Sequence, residues 1–185
     1  MNRLPIPTVE SAPAAAHPLL AAVKQQLGVV PNLMKVLAHS PSSLGAYLGF
    51  SAGTAGGELD SAARERIALT VAEANGCEYC LSAHTYLGKH VAKLSDDELD
   101  AARDGRSADP KVQALLQFTQ AVVANRGRVD DADLARFFAA GHGPDAVVEV
   151  VANVAINVFT NYVNNIARTT VDFPHVHPRG ASCAA

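Results

Sequence analysis

Along most of the chain, apolar side chains return every three or four positions inside alanine-rich segments, and no run alternates like a half-buried strand. That periodicity predicts helices, and the breakers between them predict where each begins and ends. Residues 1–18, with Pro5, Pro7 and Pro13, predict a proline-broken arm packed on the outside. A short helix follows from about Leu19 and stops at Gly28, and Pro31 and Pro41 each suit the first turn of another. Asp60 or Ser61 caps a helix reaching about Asn75, Gly76 ends it, and Cys77 stands at the start of the next. Ser95 with Glu98 spells a capping box, and Asp109-Pro110 opens a helix that Gly127 ends. Asp130 and Asp131 open one to about Ala140, and Gly143-Pro144 opens the last, to about Thr170. The expected fold is all-α, about seven to nine helices in one domain over residues 19–174, followed by a flexible tail, residues 175–185.

The last helix raises the membrane question, because Val147 to Val163 carries few charges. Asn153, Asn157, Asn161, Asn164 and Asn165 interrupt it, so no membrane span is expected. Asn153, Asn157 and Asn161 recur every four residues and form a polar stripe on an apolar helix. If buried, the stripe needs partners from a neighbouring subunit, an internal network, ordered water or a pocket wall; otherwise it faces solvent.

Composition narrows the function classes. With 185 residues, 49% of them apolar and 18% charged, the chain can bury a core without covalent staples. A net charge of -3 and the lack of a basic run argue against a nucleic-acid partner. Three cysteines cannot all pair within one chain, so the close pair Cys77 and Cys80 reads as redox or metal chemistry in a reducing compartment. The first sixteen residues lack a continuous apolar stretch of the signal-peptide kind, and the expected location is cytoplasmic.

The chemistry concentrates between Glu65 and His84. Asn75-Gly76 breaks one helix, so Cys77 and Cys80 open the next, where free N–H groups and the helix dipole favour a thiolate. His84 lies four residues after Cys80 and seven after Cys77, on the same helical face, where an imidazole can take a thiol proton. Helix position favours Cys77 as the more acidic thiol, whereas the spacing to His84 favours Cys80. Two other readings stand beside the redox dithiol. Zinc would need a fourth ligand recruited from His39, His90 or His142, and two small residues can simply pack in a core. Glu65 also has a plain reading, as a first-turn carboxylate favoured by the dipole.

Taken together, Glu65-x11-Cys77-x2-Cys80-x3-His84 resembles the active-site motif of the alkylhydroperoxidase D and carboxymuconolactone decarboxylase superfamily. The surroundings of Asn75 to His84 and the run from Val150 to Asn164, ending in Val171 to Pro174, resemble its peroxidase-related branch, over about Val30 to Pro174. The resemblance implies a thiol-dependent peroxidase with no bound cofactor. Cys80 would be the peroxidatic thiol, Cys77 the resolving thiol, His84 the proton relay and Glu65 the base that orients His84. It implies a hydroperoxide substrate, a lipoyl- or thioredoxin-like dithiol reductant, and a homo-oligomer, a trimer or hexamer. Where alkylhydroperoxidase D has a histidine before its second cysteine, this chain has Tyr79. Alternatives from other classes are a non-redox lyase of the carboxymuconolactone decarboxylase kind and a zinc-binding structural protein.

Remaining candidates have plainer expectations. Glu73 reads as a partly exposed or subunit-paired carboxylate. His175 and His177, near Cys183, imitate a metal tract but read as part of a solvated tail, with Cys183 an incidental surface thiol. A faint echo, Glu149 over Glu65, Asn161 over Cys77, Asn164 over Cys80 and Arg168 over His84, would make the C-terminal segment a degenerate copy of the motif.

Overall fold

Six consecutive residues, Ile67 to Ala72, are buried, which a helix allows only when neighbours cover it on every side. The computed structural model describes residues 2–179, and this stretch is the middle of its central helix. In chain order the helices are α1 (His17–Leu27), α2 (Asn32–Leu37), α3 (Pro41–Ala55), α4 (Ser61–Ala74), α5 (Glu78–His90), α6 (Asp96–Arg103), α7 (Pro110–Ala124), α8 (Asp131–Ala139) and α9 (Pro144–Ala167). No strand occurs among the described residues, so the fold is all-α. Helix α4 packs against α5, α6, α7 and α9. It sends Leu69 and Ala72 into one apolar cluster with α1, α2 and α5, and Ile67 and Val71 into another with α7, α8 and α9. Its Thr70 hydroxyl donates to the Ala102 carbonyl at 2.7 Å, tying α4 to α6 without leaving a buried donor unpaired.

Local chemistry sets most helix ends. The Asp60 carboxylate accepts the Ala63 N–H at 2.7 Å, Ser95 and Glu98 form the reciprocal capping box, and Asp109 and Asp130 cap α7 and α8. Two ends differ from expectation. Helix α1 begins at His17, because Pro18 fits its first turn and a 3₁₀ turn at Ala14–Ala16 leads into it. Ala12 and Ala16 are buried there, so the end of the arm belongs to the core. Helix α9 ends at Ala167, because Arg168 turns left-handed at φ 49° and its N–H closes on the Asn164 carbonyl.

The C-terminal segment is not free as far as it is described. The Val176 N–H donates to the Ser82 hydroxyl at 2.9 Å, Arg103 donates to the His177 carbonyl at 2.8 Å, and the Arg179 N–H donates to Glu73 at 2.6 Å. Cys183 lies outside the described residues. The echo between the two halves also fails. Residues 65–84 fold as two helices about a turn, whereas α9 runs unbroken past Glu149, Asn161 and Asn164. Helix α9 is long and apolar enough to cross a membrane by length and composition, yet its asparagine-bearing face is buried in the bundle.

Candidate active site

The dithiol is placed by a single turn. After α4, Gly76 takes φ +60°, a conformation that costs glycine little, and turns the chain into α5. Cys77 is then the N-cap, and its sulfur accepts the Cys80 N–H at 3.3 Å where a serine oxygen would ordinarily cap. Cys80 is the third residue of α5, and His84 follows one turn later. Both thiols are free and almost fully buried, with Cys77 0% and Cys80 2% exposed. They are not equivalent, because Cys80 lines a cavity of about 240 Å³ and Cys77 does not.

Four neighbours determine which thiol ionises. Burial opposes a Cys80 thiolate, but the Cys77 thiol donates to it, the His84 charge attracts it, and the Asn164 and Asn161 amides favour it; the net effect brings Cys80 down to about 7. The Asn164 Nδ2 donates to the Cys80 sulfur at 3.3 Å, and Asn161 Nδ2, otherwise without a partner among the described residues, acts from farther away. Cys77 moves the other way: it gives its hydrogen bond to Cys80, is buried, and would put a second negative charge beside the first, so its ionisation is pushed well up. The N-cap position that favours Cys77 in principle is thus outweighed by its neighbour.

His84 is joined to α4 by Glu65, whose Oε2 accepts from His84 Nδ1 at 2.8 Å. The two side chains keep 23% and 19% of their surface exposed, at the mouth of the cavity. Burial works against an imidazolium, but the Glu65 carboxylate and then the Cys80 charge override it, so His84 is raised above its ordinary value. With Nδ1 fixed on Glu65, Nε2 is the nitrogen left to exchange protons.

Helix α9 supplies what the sequence motif does not contain. Asn153 and Asn157 line the cavity, Asn161 accepts from Asn75 Nδ2 at 2.9 Å, and Asn164 reaches Cys80. The four-residue stripe was the signal for this wall, but only the packing of α9 on α5 identifies Asn164 as the thiol's donor. Tyr47 and Arg64 also line the cavity, and Tyr47 is pushed up to about 12 by burial and by the Cys80 and Glu65 charges, so its hydroxyl stays a donor. The Tyr79 hydroxyl accepts the Leu33 N–H at 3.1 Å, which ties α5 to α2 and makes this residue a brace.

Other candidates fall elsewhere. Glu73 is paired within the chain, with Arg103 Nε at 2.6 Å, and keeps 14% of its side chain exposed, which fits the partly exposed reading rather than the intersubunit one. His39 bonds the Pro5 carbonyl, His142 bonds the Lys111 carbonyl and stacks on Phe137, and His90 packs against Tyr86 with the rings tilted at 45°. None joins the dithiol. Among the described residues, the ligand atoms of Cys77, Cys80 and His84 do not gather within 4.8 Å of one another, as those of Glu78, His175 and His177 do. The dithiol geometry therefore does not match a zinc site.

A carboxymuconolactone decarboxylase family model matches residues 41–124, from the start of α3 to the end of α7, which takes in Glu65, both thiols and His84. The fold is similar to the alkylhydroperoxidase AhpD core of an uncharacterized peroxidase-related protein from Ralstonia eutropha JMP134, with 24% identity, 92% of each chain covered and a TM-score of 0.81. It is similar to an uncharacterized peroxidase-related protein from Silicibacter sp. TM1040, at 20% identity, 91% of each chain and a TM-score of 0.80. It is also similar to the debrominase Bmp8, seen as a Cys→Ala variant in complex with 2,3,4-tribromopyrrole, at 21% identity, 93% of each chain and a TM-score of 0.77. No curated protein matches the chain.

Proposed function

We propose that the chain, whose residues 41–124 match the carboxymuconolactone decarboxylase family model and whose fold is similar to the alkylhydroperoxidase AhpD core, is a thiol-dependent peroxidase of that superfamily that cycles Cys77 and Cys80 between dithiol and disulfide. The observation that carries this reading is the asymmetry of the pair: Cys80 opens to the cavity and is lowered to about 7, while Cys77 is sealed and held protonated beside it. The Cys80 thiolate attacks the nearer oxygen of a hydroperoxide, the O–O bond breaks, and the departing alkoxide takes a proton from His84. Cys80 is left as a sulfenic acid. Cys77 then attacks that sulfur; its thiol proton and the hydroxyl leave as water, and the disulfide closes. A lipoyl- or thioredoxin-like dithiol returns two electrons by attacking Cys80, the sulfur that faces the cavity, with Cys77 as leaving group. Glu65 acts as a positioning residue for His84. A cytoplasmic setting, and a trimer or hexamer built on the exposed apolar row of α9, belong to the same reading.

A thiolate that attacks oxygen can also attack a polarisable halogen, so reductive debromination is the second reading, favoured by the fold likeness to Bmp8. Mass spectrometry of the chain equilibrated in defined dithiol/disulfide buffers tests the shared core. A reversible Cys77–Cys80 disulfide is expected, whereas a redox-silent pair contradicts both readings and returns weight to a non-redox lyase. Turnover of a hydroperoxide against a bromopyrrole, each with the same dithiol, then separates the two.

A further inference from the structure

Away from the cavity, the imidazoles of His175 and His177 converge on one carboxylate oxygen. His175 Nδ1 is 2.8 Å and His177 Nδ1 is 3.2 Å from Oε1 of Glu78, the first residue of α5. This arrangement is built by the backbone. Alternate residues of an extended segment point the same way, and the residue between them, Val176, is turned inward, with its side chain on the core and its N–H on the buried Ser82 hydroxyl. Arg103 fixes the next carbonyl, that of His177. The rings stand 5.9 Å apart at 34°, and all three ligand atoms lie within 4.8 Å of one another. In a neutral imidazole, Nδ1 carries either a lone pair or a proton, so two rings can share one carboxylate oxygen as two donors or around a cation.

We propose that Glu78, His175 and His177 form a site for one divalent first-row transition ion, with Zn²⁺ the best match. Two imidazole nitrogens and one carboxylate oxygen are a borderline donor set that suits zinc over magnesium or calcium. Side-chain exposures of 39%, 57% and 72% leave a fourth, water-filled position open. The site is distinct from the dithiol, and the bound ion would clamp the C-terminal segment onto the start of the helix that carries it.

Isothermal titration of ZnCl₂ into the full chain carrying Cys77→Ser, Cys80→Ser and Cys183→Ser, which cannot bind zinc through sulfur, tests this directly. One ion per chain is expected, with affinity at least about tenfold weaker in each of His175→Ala, His177→Ala and Glu78→Gln, since even second-shell changes cost metal sites that much. Because buried Cys→Ser changes can unsettle the core, the unsubstituted chain is titrated in parallel with Co²⁺. Visible ligand-field bands that lack a thiolate-to-cobalt band and vanish in His177→Ala are expected. Absence of binding in both experiments, or binding indifferent to all three ligand substitutions, overturns the proposal, as does a cobalt spectrum dominated by thiolate.

Discussion

The acidity of Cys80 is the sum of a penalty and four offsets, and each offset belongs to a named neighbour. The largest effect, burial, works against the thiolate; the Cys77 hydrogen bond, the His84 charge and the two asparagine amides work for it. The sign of the pH dependence follows. Alkylation of Cys80 by iodoacetamide should rise as pH increases through about 7, because the reactive thiolate forms there. Replacing Asn164 with Leu removes a hydrogen bond to a buried anion, worth about 1.5–3 kcal/mol, and should move that inflection up by about 1 to 2 pH units. An unmoved inflection would show that Asn164 does not support the charge. The motif residues Glu65, Cys77, Cys80 and His84 were legible in the sequence through their spacing. Asn164 was visible only as one member of a polar stripe, because its role depends on the contact between α9 and α5, separated by 84 positions from thiol to amide. Helix-end reasoning alone pointed to Cys77 and the spacing to His84 pointed to Cys80; the preference for Cys80 depends on Cys77 bonding to it and on what α9 brings beside them.

At the scale of elements, α4 acts as the axle on which the site is mounted: it carries Glu65 at one end and delivers the chain to Gly76 and Cys77 at the other. Its fully buried Leu69 faces the cluster that also holds Cys80 and Leu81. Leu69→Ala should therefore cost about 2–5 kcal/mol by transfer and cavity terms, read from the urea midpoint. Loss of the Asp60 cap, remote from the thiols, should cost about 1 kcal/mol. Helix starts were the most legible elements, since Asp60, Ser95, Asp109 and Asp130 each provide a side-chain acceptor for free N–H groups. The end of α9 and the C-terminal segment were less legible. Arg168 adopts a left-handed turn that its residue type does not announce, and the anchors at Ser82, Arg103 and Glu73 come from distant parts of the chain.

For the whole molecule, the outward face of α9 carries Val148, Val151, Phe159, Tyr162 and Ile166, each at least 40% exposed, in a row spaced by three and four residues or their sums. A face of that kind fits contact with other copies of the chain, and sedimentation should give a trimer or hexamer that Ile166→Glu dissociates. A monomeric wild-type chain would contradict this part of the reading. The asymmetry of the dithiol is the central claim, and the most direct test follows one cycle of the intact protein. The reduced chain is mixed with a single equivalent of tert-butyl hydroperoxide, and alcohol and disulfide are quantified. One alcohol and one Cys77–Cys80 disulfide per chain are predicted, with Cys77→Ser stopping at a dimedone-reactive sulfenic acid and Cys80→Ser giving neither product. Undiminished peroxide reduction by Cys80→Ser would contradict the account.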